Sequence, residues 1–253
     1  MTAEEITIYF VFPAAGYLLG SVPFAWVIGK YNGVDIRTVG SKNIGATNLG
    51  RTLGKRFFWQ AFLLDAAKGF FPVLVAALLA ARGYYVEMGA DMRPIVSPNL
   101  HPVFGLRHVP FPSWAPLITA AACVIGHLFP VWLKFKGGKG VATGFGVVLG
   151  FWPLYTIAGL AAAAFFLFML LVYRYISLAS ITGAFFFACL VAVMGSLHGQ
   201  YLYQPPPDRY VLIAVACAFA LMILVRHRAN VGRLMKGTEP KIGQREIDKA
   251  RMK

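Results

Sequence analysis

The chain is short of charge, and shortest of acids. Only 13% of its 253 residues are charged, against about 25% in a soluble domain. Asp and Glu number 10 beside 24 Lys and Arg. So few carboxylates argue against a two-metal phosphatase centre. Cysteine is missing from every polar stretch: Cys123, Cys189 and Cys217 all lie in apolar runs. They read as packing residues, which argues against a thiol acyl-enzyme and against a zinc site. Neither a His-Glu-x-x-His nor a His-x4-Asp pattern occurs. A P-loop is absent as well, since Gly140 follows Lys139 where Ser or Thr belongs, and Leu133 stands where the leading glycine belongs. There is no internal repeat and no low-complexity segment. The expectation is a protein with no metal and no cofactor.

Long apolar runs dominate what is there. The composition is 58% hydrophobic, with a mean hydropathy of +0.64. Blocks long enough to span a bilayer occur at roughly 5–29, 57–82, 114–134, 140–152, 154–173, 176–197 and 210–227. The block at 140–152 is short and is divided from the next only by Trp152-Pro153. These runs predict an all-α polytopic membrane protein of about seven transmembrane helices, forming one integral membrane domain over 1–253. The first thirty residues open on Glu4 and Glu5 with no Lys or Arg ahead of the apolar run, so they read as a retained helix.

The net charge of +14 follows the loops. Nineteen Lys and Arg fall in segments 30–56 and 134–139, at Arg174 and in the tail from Arg226; four, Arg82, Arg93, Arg107 and Arg209, fall on the other side. The basic side is expected in the cytoplasm, with the N-terminus outside and the C-terminus inside. Cations so divided among short loops do not suggest nucleic acid. Segment 83–113, rich in proline, reads as an external loop insertion. The basic tail 228–253 is expected against anionic headgroups.

Three polar clusters share the basic face. Gly40 to Arg51 holds three glycines, two asparagines, two hydroxyls and two cations without an acid. Small residues let backbone amides approach a ligand, and cations favour an anionic one. Ser41, Asn43, Gly45, Thr47 and Asn48 offer hydrogen-bonding partners, and Arg51 can fork onto a phosphate. In the second cluster, Gly137, Gly138 and Gly140 surround Lys139 where a new apolar helix begins, a place suited to phosphate. In the third, His227 and Asn230 stand three apart at the inner end of the last apolar run and share a face if helical. Asp65 and Lys68, also three apart, lie inside the second run and read as a helix-positioning pair facing the bundle interior. His127 reads as a packed polar residue or as a hydrogen-bonder behind the site. A transporter of a phosphorylated anion is the competing reading; against it, the candidate loops all share one face and no paired broken helices recur in two halves.

Taken together, Gly20-Ser21-Val22-Pro23, Gly40 to Arg51, Asp65-Ala66-Ala67-Lys68-Gly69, Gly126-His127, Phe135 to Thr143 and His227-Arg228-Ala229-Asn230 resemble the PlsY family of bacterial acyl-phosphate:glycerol-3-phosphate acyltransferases. The resemblance runs from the first helix to about Glu239. It implies seven helices and a site facing the cytoplasm at the bacterial inner membrane. It also implies transfer of a fatty acyl group from acyl phosphate to the 1-hydroxyl of glycerol 3-phosphate, the first step of bacterial phospholipid synthesis. By the same resemblance Ser41, Lys139, His227 and Asn230 are expected to be catalytic. Gly40, Asn43, Gly45, Thr47, Asn48, Arg51, Gly137, Gly138 and Gly140 are expected to bind substrate. Ser41, Gly137, Gly138 and Lys139 are expected on the acyl-phosphate phosphoryl group; Arg51, Lys139, His227 and Asn230 on glycerol 3-phosphate.

Overall fold

The structure, a computed structural model, describes residues 6–81, 85–88, 94–97, 115–151, 154–197 and 206–243. A π-helical turn, Thr7–Val11, runs into α1, Phe12–Ser21. Proline at 23 ends that helix: Val22 is pushed to an extended conformation (ψ 116°) and α2, Phe24–Tyr31, restarts beyond it. The carbonyl of Val22 accepts a 2.7 Å hydrogen bond from the Lys68 ammonium. A buried lysine thus occupies a backbone acceptor at the break.

A loop leads to α3, Ala46–Leu53, and then to α4, Lys55–Ala81. Two four-residue strands follow, β1 (Tyr85–Met88) and β2 (Pro94–Ser97), antiparallel with Tyr85 opposite Ser97 and Met88 opposite Pro94. They lie within the segment 83–113 read as an external loop insertion; His101 and His108 lie outside the described residues. The bundle continues with α5 (Ala115–Leu128), a 3-10 turn at Val131–Leu133, α6 (Val141–Gly150), α7 (Leu154–Tyr173) and α8 (Ile176–Leu197). It closes with α9 (Pro206–Arg226) and α10 (Arg228–Met235), bent by 59° at His227.

Among the described residues, five helices are long and apolar enough to cross a bilayer, or six if the bent pair is one span. The block expected at 140–152 is the exception. At ten residues α6 reaches only about 15 Å, half the hydrocarbon thickness of about 30 Å. Its burial explains how so short a helix is held. A β-carbon on Gly146 would lie 1.8 Å from the Ala66 carbonyl oxygen, and one on Gly69 2.3 Å from that of Thr143. Backbone meets backbone where α4 crosses α6, an approach that only glycine permits and that drives association inside lipid. The crossing of α1 and α5 is built alike, with Gly20 against Cys123 and Gly126 against Tyr17. One apolar core joins α4 to α9 through Val73, Val147, Tyr155 and Val191; a smaller one around Ile36, Leu49 and Ala61 seats the loop before α3.

Candidate active site

Three stretches far apart in sequence meet in one polar cavity. The first gives it Ser41, Asn43, Gly45, Thr47, Asn48 and Arg51; the second, Lys139 and Gly140; the third, His227 and Asn230. Asp65, His127, Ser177, Ser180 and Glu239 complete the polar wall.

The first loop is folded from within. Asn48, 1% exposed, accepts the Ser41 N–H at 2.9 Å through Oδ1, while Nδ2 donates to the carbonyls of Ile36 at 2.8 Å and Val39 at 3.2 Å. Its amide therefore organises the loop, although it was expected on substrate. Gly40 takes a left-handed turn at φ +57° and does not reach the cavity, a second departure from the expected binding set. At the loop's outer edge Asp35 is held by Arg37 at 2.7 Å and Lys30 at 3.2 Å. The Arg37 guanidinium above all keeps that carboxyl well below the usual carboxylate range. No side chain caps α3, and its opening residues Gly45, Ala46 and Thr47 line the cavity. The positive end of that helix therefore faces whatever the cavity holds.

The glycine loop around Lys139 is arranged differently from the expectation. The N–H of Gly137 donates to the Leu128 carbonyl and that of Gly138 to the His127 carbonyl, each at 3.1 Å. Neither glycine lines the cavity. They are there for closeness: a β-carbon on Gly137 would meet the His127 carbonyl oxygen at 2.2 Å, and one on Gly138 would meet His127 Nε2 at 2.2 Å. The amides expected to cradle a phosphate are engaged inside the protein. Gly140 differs again, capping α6 at φ +83° and lining the cavity.

Lys139 donates to Asn230 Oδ1. Burial brings its ammonium down to about 8; Glu239 opposes the shift, and Arg233, Arg51 and Arg226 add to it. Asn230 Nδ2 donates to Glu239 Oε1 at 2.7 Å, so both ends of the amide are fixed. Glu239 also accepts Ser177 Oγ and Arg233 Nε, each at 2.7 Å. Burial works to raise that carboxyl, but the three hydrogen bonds and the Arg233 charge outweigh it and hold it low and ionised. His227 hydrogen-bonds the Ile223 carbonyl at 2.8 Å through Nδ1. A carbonyl only accepts, so Nδ1 carries the proton and a neutral ring leaves Nε2 as an acceptor.

Sequence reasoning missed Ser177, and it gave no site role to Arg226, Arg233 and Glu239 although the third cluster runs from Arg226 through Arg233 to Glu239. Of the tail read at 228–253, residues 244–253 lie outside the described residues. Residues 236–243 fold back over the site: Ile242 N–H donates to the Arg174 carbonyl at 2.7 Å and Arg174 Nη2 to the Ile242 carbonyl at 3.1 Å. The Asp65–Lys68 pair is buried at 2.6 Å, and His127 Nδ1 stands 3.8 Å from Asp65 Oδ1. Asp65 and His127 touch the cavity as well as the bundle interior.

An apolar groove adjoins the polar cavity and shares Phe62, Val141, Phe166 and Ser180 with it. Its floor is open because Gly144, Gly159 and Gly183 lack side chains; a β-carbon on Gly144 would lie 2.1 Å from the Phe219 ring. Phe187 and Phe219 also line it, edge to face at 6.4 Å.

A sequence model of the family described as Glycerol-3-phosphate acyltransferase matches residues 10–237. The chain is 38% identical over 239 residues to a Glycerol-3-phosphate acyltransferase of Geotalea daltonii, covering 94% of this chain and 97% of the relative. It is 40% identical over 230 residues to one of Anaeromyxobacter dehalogenans, covering 90% and 94%. Among solved structures it resembles PlsY, an integral membrane glycerol 3-phosphate acyltransferase, in its glycerol 3-phosphate form. The TM-score is 0.72 at 34% identity, over 94% of this chain and 96% of that one. The lysophosphatidic acid form of the same enzyme gives 0.68 at 33%, over 92% and 94%.

Proposed function

The chain belongs to the glycerol-3-phosphate acyltransferase family, and from that premise we propose that it moves a fatty acyl group from acyl phosphate to the 1-hydroxyl of glycerol 3-phosphate. The products are 1-acylglycerol 3-phosphate and phosphate. The observation that carries the donor assignment is the junction of a polar cavity with an apolar groove. An acyl phosphate is anionic at one end and apolar for the rest of its length, and it fits across that junction.

Ser41 and Lys139 hold the phosphoryl group of the donor. Arg51, Lys139, His227 and Asn230 hold glycerol 3-phosphate, with His227 Nε2 accepting the hydrogen bond of the reacting hydroxyl. Gly137 and Gly138 act from behind, through the loop that carries Lys139. The hydroxyl oxygen attacks the acyl carbon and the bond from that carbon to the phosphate oxygen breaks. Phosphate leaves with the electron pair and takes the proton. A mixed anhydride carries its own leaving group, so positioning and charge stabilisation suffice.

The site supports a reading of the topology. Residues 139–140 and 176–177 both line one cavity, so α6 leads away from it and α7 returns. With α6 as a short outward pass, the count is seven, the N-terminus is outside, and the site faces the cytoplasm on the side rich in Lys and Arg. The test is phosphate and lysophosphatidic acid formation by purified protein in lipid mesophase, from palmitoyl phosphate with and without glycerol 3-phosphate. Product from palmitoyl coenzyme A but none from palmitoyl phosphate overturns the donor; accumulation of the anion in vesicles with no product overturns the enzyme reading.

A further inference from the structure

We infer that Arg226 is a positioning residue for acyl transfer, fixing the Gly137–Gly138 peptides so that Lys139 is presented to Asn230. Its guanidinium donates from Nη2 to the Gly138 carbonyl at 2.6 Å and the Gly137 carbonyl at 3.0 Å, and from Nε to the Gly138 carbonyl at 3.1 Å. Arg226 itself does not line the cavity, so it acts through other residues. The amides of the same two glycines are tied to Leu128 and His127. Each glycine is therefore gripped by N–H from the end of α5 and by C=O from the end of α9.

Glycine has the widest backbone freedom of any residue. Two in succession just before Lys139 are held still by this double grip. A planar fork suits two neighbouring carbonyls, whereas an ammonium is a single point. The guanidinium carbon lies over the Phe129 ring, 5.9 Å from its centre. Arg226 also immediately precedes His227, with Asn230 one turn further. One helix end thus holds the second cluster and supplies the third, which sets the register between them.

The inference rests on Lys139 acting in the transfer. Lys139 faces Arg51 from α3, Arg226 from α9, Arg233 from α10 and Glu239 from the segment beyond; His227, Asp65 and His127 line the same cavity. Removing the Arg226 charge removes one influence that depresses the lysine, so its titration moves up.

The test compares wild type, Arg226→Lys and Arg226→Met in mesophase. It reads kcat/KM against pH, thermal stability, and amide hydrogen exchange of the segment around Lys139. In Arg226→Met we expect a loss of roughly 10²-fold, the scale of misplacing a catalytic group, an alkaline limb moved to higher pH, and faster exchange in that segment. Arg226→Lys recovers part of the rate and keeps the limb in place. Wild-type turnover in Arg226→Met, or a loss that only tracks melting with an unmoved limb and unchanged exchange, overturns the inference. A wild-type protein without transferase activity overturns the functional reading instead, and hydrogen exchange then decides the role of Arg226 alone.

Discussion

The loops at 40–51 and 134–140 look alike in sequence and are built oppositely. Both are rich in glycine and cations, both precede a helix, and both read as phosphate cradles. In the first, a buried asparagine ties the loop from inside, and the side chains and opening turn of α3 face the cavity. In the second, the glycine amides point into the protein, and only Lys139 and Gly140 reach the cavity. Glycine serves two ends, exposing backbone to a ligand or letting backbone pass under a neighbour. Composition does not distinguish them; the partner of each N–H does.

The sharpest way to test the contrast is Lys139, the one side chain the second loop sends to the site. Lys139→Ala should lower kcat/KM by about 10³-fold, the scale of removing a preorganised charge from a transition state. Thermal stability should hold. Retained turnover in purified protein would remove the lysine from the mechanism and leave the second loop with a purely structural role.

Matched glycine substitutions come next. Gly138→Ala drives a β-carbon to within 2.2 Å of the buried His127 ring. It should destabilise by about 1–3 kcal/mol, as overpacking does, with activity and melting temperature falling together. Gly45→Ala meets nothing closer than Asn43 Nδ2 at 3.5 Å, and its φ of −102° suits alanine. Its melting temperature should be unchanged, and any effect should fall on KM. A Gly138→Ala protein that melts normally while KM rises would show that the second loop is an anion cradle after all.

What could be read from sequence divides along the same line. Apolar runs at 154–173 and 176–197 became α7 and α8 with the same boundaries, because hydrophobic length is local information. The meeting of Ser41, Lys139 and His227 was legible as three clusters on one basic face. The grip of Arg226 on Gly137 and Gly138 and the junction of Glu239 with Ser177 were not. Each depends on a partner tens of residues away, and nothing near Ser177 in the chain marks it. The β1–β2 hairpin escaped notice because its four-residue strands are shorter than the periodic window that identifies one.

A milder distinction between the loops lies in pH. Lys139 titrates at about 8, and the charged form is the one that holds phosphate. Activity should therefore be full below that value and fall about tenfold per unit above it, as the protonated fraction does. Lys139→Arg keeps its charge throughout and should abolish the limb, at some loss of rate from altered geometry. Arg51, the cation of the first loop, contributes no limb in this range. A limb that survives in Lys139→Arg belongs to another group.

The smallest expected effect lies where both loops end and the apolar groove begins. Gly183 lies on the groove, and a β-carbon there would be 3.3 Å from Phe166 Cβ, a contact that can relax. Gly183→Leu fills groove volume without touching Lys139 or Arg51. Palmitoyl phosphate should lose about 10-fold in kcat/KM relative to decanoyl phosphate, the scale of excluding roughly one methylene from an apolar pocket. The KM for glycerol 3-phosphate and the alkaline limb should stay where they are, because the polar cavity is unchanged. If the two donors fall equally, the acyl chain lies elsewhere, and the junction of cavity and groove loses its claim to mark the donor site.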